Sequence, residues 1–151
     1  MTDPGSTVPT DAMQQRVAAV SEALGVGVCS FYLAHPDKQS LEMVATCGLD
    51  RRILGTRLDY SQGLTGKVAR TGKAVAARDI QSHADYFHVE DSGEERFTSY
   101  LGIPLERNGD LLGVLVIQTV ESKTFFHRDI RELHSAGRDL IQALLTPCTE
   151  I

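Results

Sequence analysis

The stretch GEERFTSYLGIPLERNGDLLGVLVIQT, Gly93 to Thr119, decides how this chain is read. Asn108-Gly109 is a type I′ turn signal with apolar runs on both sides, so the segment reads as a β-hairpin. A two-residue turn pairs Arg107 with Asp110 and sets the register. Strict alternation from that pair puts Leu101, Ile103 and Leu105 opposite Leu112, Val114 and Val116, with Ser99 and Gln118 at the far end. It puts Tyr100, Gly102 and Pro104 on the other face, opposite Leu111, Gly113, Leu115 and Ile117. Neither face alternates with charge, so both are expected to be covered. Gly102, Gly113 and Pro104 leave room on the second face for a close helix or a ligand.

Working outward, Ala12 to Leu24 carries Met13, Val17, Val20 and Leu24 on one helical stripe, with Thr10 or Asp11 as cap and Gly25 as stop. Val26 to Ala34 and Leu41 to Cys47 read as strands around the turn His35-Pro36-Asp37-Lys38. Gly48 to Tyr60 reads as a short helix followed by an extended segment. A second helix starts at Ser61, whose hydroxyl caps it, and stops at Gly72. Ala74 to Ala77 is a short strand, and Asp79 to Ser92 a loop long enough to act as a lid. The last helix runs from about His127 to Leu145, with Ile130, Leu133, Gly137, Leu140 and Leu144 at heptad-like spacing and Pro147 beyond it. Strands joined by tight turns are antiparallel, and a sheet of that kind covered by helices is an α+β fold.

The length of 151 residues suits one domain, read as a polar lead-in (1–11), a folded unit (12–146) and a short tail (147–151). The net charge of −5 without a basic cluster argues against nucleic acid and anionic membrane surfaces as partners. No apolar run approaches the ~20 residues that span a bilayer. The opening MTDPGSTVPTD lacks the features of a signal peptide. Cys29, Cys47 and Cys148 have no metal-binding spacing. The first two sit in apolar strand-like runs, where a free thiol acts as a small hydrophobe. A reducing, cytoplasmic setting follows.

Catalytic and cofactor motifs are weak. Gly63-Leu64-Thr65-Gly66-Lys67 and Gly72-Lys73 miss the spacing of a phosphate loop and read as helix punctuation. His83 and His88, with Asp79, Asp85 and Glu90 nearby, match no metal-ligand pattern and read as a solvated loop. No nucleophile elbow is present, and no cysteine has a basic, exposed context. Neither a cofactor nor an enzymatic activity is expected.

The segment SYLGIPL, a polar turn and LLGVLVIQT resembles the central hairpin of GAF domains. GLTGKVARTGKAVAARDIQSHADYF resembles that family's middle segment, and the likeness runs from about Val26 to Leu145. SGEERFTSYLGIPL is similar to the amino-terminal GAF domain of nitrogen-branch Enzyme I, a phosphoenolpyruvate–protein phosphotransferase. In that branch the loop often reads His-Pro-Arg-Phe; here it is His83-Ala84-Asp85-Tyr86-Phe87. The resemblance implies terminal helices on one sheet face and a loop-roofed pocket on the other. It also implies a sensory domain, with glutamine or 2-oxoglutarate as ligand and no phosphotransfer activity of its own. The NKxnFx3DE signature of cyclic-nucleotide GAF domains and the Cys-His of bilin-binding ones are absent. Relatives that reduce free methionine sulfoxide use pocket-loop cysteines, a role that does not carry over to Cys29, Cys47 or Cys148.

The candidate ligand contacts are therefore Tyr86 and Phe87 in the loop, Arg96 and Ser99 before the hairpin, and Tyr100, Val116 and Gln118 within it. Tyr86 and Phe87 serve equally well as staples of the loop, and Arg96 as a surface partner of Glu94 or Asp91. Strict pairing separates Tyr100 from Gln118; a bulge near Gly102 or Pro104 unites them. A homodimer through the terminal helices is expected, since Ala18, Ala19, Ala136 and Ile141 widen their apolar surface. The competing readings are a dimerisation module with a filled pocket and a methionine sulfoxide reductase.

Overall fold

The hairpin turns where its sequence signal lies. Asn108 and Gly109 hold φ of 56° and 83°, as a type I′ turn requires. A computed structural model describes residues 10–83 and 97–145 of the chain. The described elements are helix α1 (Thr10–Leu24), strands β1 (Val28–His35), β2 (Ser40–Cys47) and β3 (Arg57–Asp59), helix α2 (Gly63–Thr71), strand β4 (Val75–Ala77), the hairpin strands β5 (Ser99–Arg107) and β6 (Asp110–Thr119), and helix α3 (His127–Leu145). Six strands form one antiparallel sheet in the order β3-β2-β1-β6-β5-β4, which is the expected α+β arrangement.

The hairpin register departs from strict alternation. Arg107 pairs with Asp110 and Glu106 with Leu111, but Leu105 then lies opposite Gly113, which leaves Leu112 as an extra residue. This bulge moves every later β6 side chain to the face opposite the one expected. Leu115 and Ile117, not Leu112, Val114 and Val116, share a core with Leu101, Ile103 and Leu105. Val114 and Val116 join Tyr100. The physical reason lies in β1: a Cβ on Gly113 would stand 2.3 Å from the Tyr32 carbonyl oxygen and 2.6 Å from the Phe31 ring. The bulge delivers the one residue without a side chain to that spot.

Each sheet face carries its own core. Met13, Val17 and Val20 of α1 and Leu133 and Leu140 of α3 pack on Cys29, Phe31, Leu101, Ile103, Leu115 and Ile117. Each such fully buried aliphatic side chain contributes about 1.5–3 kcal/mol. Gly137 lets α3 settle on the sheet, since a Cβ there would stand 2.5 Å from Leu105 Cδ2. α1 ends in a Schellman motif: Gly25 at φ 67° donates its N–H to Glu22 O at 3.3 Å, and Val26 donates to Ser21 O at 3.0 Å. Gln14 of α1 reaches the sheet margin, where its amide accepts from Thr46 N–H at 3.1 Å and donates to Thr46 O.

The opposite face is covered by α2, with Leu64 and Val68 against Tyr32, Leu41, Leu58, Tyr100, Val114 and Val116. This helix begins at Gly63 instead of Ser61. Its cap residue, Gln62, makes no side-chain cap bond, and its side chain instead accepts from Asp59 N–H at 2.9 Å. Gly66 is a close-packing residue, not punctuation: a Cβ would meet Asp59 O at 2.7 Å and Tyr60 O at 2.8 Å. The ambiguous segment after Gly48 resolves into a 3-10 turn (Arg51–Ile53) and then β3. The loop after β4 opens with another 3-10 turn (Ile80–Ser82), tied by Ile80 N–H to Thr98 O at 2.8 Å. Most of the candidate lid, residues 84–92, lies outside the described residues, as do residues 93–96 that follow it.

Gly113→Ala is expected to cost about 1–3 kcal/mol, because the new methyl must displace backbone. Gly55→Ala, with open space around the added Cβ but φ of 94°, carries only the conformational penalty. Urea unfolding of the two variants measures the difference.

Candidate functional site

The bulge places Tyr100 and Gln118 directly opposite each other, on the α2 face. It lies nearer the turn than Gly102 or Pro104, but its effect on this pair is the one a bulge there would have had. Tyr100 folds back along its own strand over Gly102, where a Cβ would stand 2.5 Å from the phenol oxygen. Its hydroxyl lies 2.8 Å from that of Thr65 on α2, in a buried hydrogen bond. The space left by Gly102 is thus filled by the protein's own tyrosine. Val116, paired with Gly102, lines the same face.

Gln118 is 1% exposed and sits in register between Val28 of β1 and Tyr100 of β5. Its amide nitrogen is buried and has no hydrogen-bond partner among the described residues. A buried amide N–H left unpaired costs about 1–3 kcal/mol, so a polar occupant on this face would be stabilised by it. Phe97, 5% exposed, belongs to the same cluster and lies against Gly27, where a Cβ would meet its ring at 3.0 Å.

Ser99 is not brought to this group. Its hydroxyl donates to Arg78 O at 2.6 Å and accepts from Lys123 N–H at 2.7 Å, joining the end of β4 to the segment before α3. Tyr86, Phe87 and Arg96 lie outside the described residues. Cys29 and Cys47 point to the terminal-helix face, away from Gln118, and burial pushes the Cys29 thiol far up. Two clefts flank the terminal helices. One of about 300 Å³ runs between α1 and α3, and one of about 320 Å³ lies between the end of α1 and the start of α3. No cluster of His, Cys, Asp and Glu suited to a metal ion occurs among the described residues. None of the described helices is long and apolar enough to cross a membrane.

A family model described as the GAF domain matches residues 7–144. The chain belongs to the GAF family. This GAF domain is 33% identical over 96 residues to an Escherichia coli (strain K12) protein named "Phosphoenolpyruvate-dependent phosphotransferase system", a match that takes in 63% of this chain and 13% of that protein. The chain therefore corresponds to a small part of that relative's length. It superposes on the crystal structure of the GAF domain from an Acinetobacter phosphoenolpyruvate-protein phosphotransferase with a TM-score of 0.79 and 26% identity, over 93% of this chain and 84% of that one. A free methionine-R-sulfoxide reductase from Neisseria meningitidis, in complex with its substrate, shares the fold with a TM-score of 0.74 and 22% identity, over 93% and 80% of the two chains.

Thr65 and Phe97 were not among the candidate residues. A threonine beside Leu64 on a helix has no signal of its own, and its partner Tyr100 is 35 positions away. The pair is expected to show a coupling of about 0.5–1.5 kcal/mol in a double-mutant cycle of Thr65→Val and Tyr100→Phe. Thermal unfolding should find the double variant closer to wild type than the sum of the two single losses.

Proposed function

We propose that this GAF domain is a regulatory module that binds a small zwitterionic or anionic metabolite on the α2 face of its sheet. The observation that carries the reading is the buried amide nitrogen of Gln118, unpartnered among the described residues. A ligand carbonyl or carboxylate oxygen supplies the missing acceptor. The chain's likeness to phosphotransferase GAF domains supports a role in phosphotransfer signalling of nitrogen status, with glutamine or 2-oxoglutarate as ligand. Arg96 is the proposed carboxylate partner, because its guanidinium fork matches a carboxylate and no other Lys or Arg falls between Arg78 and Arg107. The domain carries no catalysis of its own, and its setting is cytoplasmic. The reductase reading is disfavoured by Cys29 and Cys47, which face the terminal helices instead of the Gln118 side.

Calorimetric titration of glutamine and 2-oxoglutarate tests this. One of them is expected to bind, and Gln118→Leu and Arg96→Lys should each weaken it by roughly ten- to a hundredfold, as loss of about 1.5–3 kcal/mol requires. Unchanged affinity in both variants would place the ligand elsewhere. Thiol-dependent turnover of free methionine sulfoxide would overturn the non-catalytic reading.

The proposed partner of the terminal helices is a second copy of the chain. The cleft between α1 and α3 is lined by Ala19, Ala23 and Ala136, with Arg16 on one side and Glu132 and Asp139 on the other. A two-fold axis would set the Arg16 of each chain against the acids of its mate, over a floor of small residues. Sedimentation velocity is expected to show a dimer, and Ala19→Glu should convert it to monomer without loss of helical signal.

A further inference from the structure

Cys29 and Cys47 lie directly opposite each other on β1 and β2, on the same face of the sheet. Their spacing in the sequence does not suggest this. The neighbouring pair, Ser30 and Thr46, is already joined by a hydroxyl–hydroxyl hydrogen bond of 2.8 Å. Thr46 turns its backbone N–H and carbonyl away from β1, to Gln14. Alternation along the ladder then makes Cys29 and Cys47 a hydrogen-bonded pair, an arrangement in which Cα atoms typically stand about 5.5 Å apart. That falls inside the ~4.4–6.8 Å range over which a disulfide closes. Both thiols are free. Cys29 is fully buried and Cys47 only partly, so a reagent arriving from solvent meets Cys47 first.

We propose that Cys29 and Cys47 form a reversible cross-strand disulfide by exchange with a low-molecular-weight disulfide. The Cys47 thiolate attacks one sulfur of the reagent R–S–S–R and expels R–S⁻, which leaves Cys47 as a mixed disulfide. Cys29 gives up its proton, which ends on a departing R–S⁻, and attacks Cys47 Sγ. The second R–S⁻ departs, and the Cys29–Cys47 bond forms. Two protein thiols are oxidised, and one external disulfide is reduced to two thiols. Burial disfavours the Cys29 thiolate, so the second step is the slow one.

The pair sits behind the candidate site. Val28, next to Cys29, is the β1 neighbour of Gln118. Gly48, next to Cys47, packs so tightly that a Cβ would stand 2.1 Å from Gly27 O and 3.0 Å from Val28 Cγ2. A bond between the sulfurs fixes this corner from the far side of the sheet. Its effect on ligand affinity rests on the function proposed above; formation of the bond does not.

The test treats the full chain with glutathione disulfide, followed by intact mass and peptide mapping. The expected product has lost two hydrogens, links the Cys29 and Cys47 peptides, and reverts with a dithiol reductant. Cys148→Ser should behave as wild type, and Cys47→Ser should give no internal bond. Backbone amide shifts of the oxidised protein should move at Val28, Gly48 and Gln118. A stable glutathione adduct on Cys47 with Cys29 unreacted, or a link made only through Cys148, overturns the proposal. Shifts confined to the terminal-helix face overturn its connection to the Gln118 corner while leaving metabolite binding to be judged by calorimetry.

Discussion

The contact between Gly113 and β1 governs the rest of the architecture. The Tyr32 carbonyl and the Phe31 ring leave no space there for a side chain. The chain meets that constraint by inserting Leu112 as a bulge, and the insertion fixes which face every later residue of β6 serves. Leu115 and Ile117 close the core beneath the terminal helices. Val116 and Gln118 are turned to the α2 side, beside Tyr100. Without the extra residue, Gln118 would lie under α1 and α3, and Leu115 and Ile117 would take its place beside Tyr100.

The two faces then differ in chemistry. The terminal-helix side is built mainly from aliphatic and aromatic side chains, with Gly113 and Gly137 allowing close approach. The α2 side encloses a tyrosine–threonine hydrogen bond, the paired hydroxyls of Ser30 and Thr46, and the Gln118 amide, whose nitrogen has no partner among the described residues. Close-packed apolar surface on one side gives the sheet a rigid back. Polar groups on the other side are held in position by neighbouring strands, so a ligand taken up there would meet them already ordered, at a lower entropy cost.

Much of the fold was legible because its signals are local. Asn108-Gly109 marks the turn, the stripe of Met13, Val17 and Val20 marks α1, and α3 keeps the limits drawn from its heptad-like spacing. The stretch from Gly48 to Tyr60 was ambiguous because its apolar residues are too few to define a period, and backbone bonds to Met43 settle it: Met43 N–H donates to Thr56 O and Gly55 N–H to Met43 O. The bulge was not legible, since its cause is Phe31 and Tyr32, far away in the chain. The site was legible only in part. Tyr100 and Gln118 stood out as polar residues in an apolar hairpin, but their meeting depends on the bulge. Ser99 looked like a ligand contact, yet its hydroxyl is engaged by Arg78 and Lys123 backbone, partners that no motif announces.

The bond from Gln14 to Thr46 has a consequence for how the protein survives its own synthesis. β3 pairs only with Ser40, Leu41 and Glu42, so the C-terminal part of β2 ends the described sheet with backbone groups that no described strand takes up. An open margin of this kind templates pairing with other chains and leads to aggregation. The Gln14 amide presents one donor and one acceptor to Thr46, as a neighbouring strand would, and so blocks the margin with a side chain. Because α1 precedes β2 in the chain, this guard leaves the ribosome before the edge that it protects. A shortened chain lacking α1 would expose that edge together with the apolar surface beneath it, and its failure would appear as insolubility before any loss of binding could be measured.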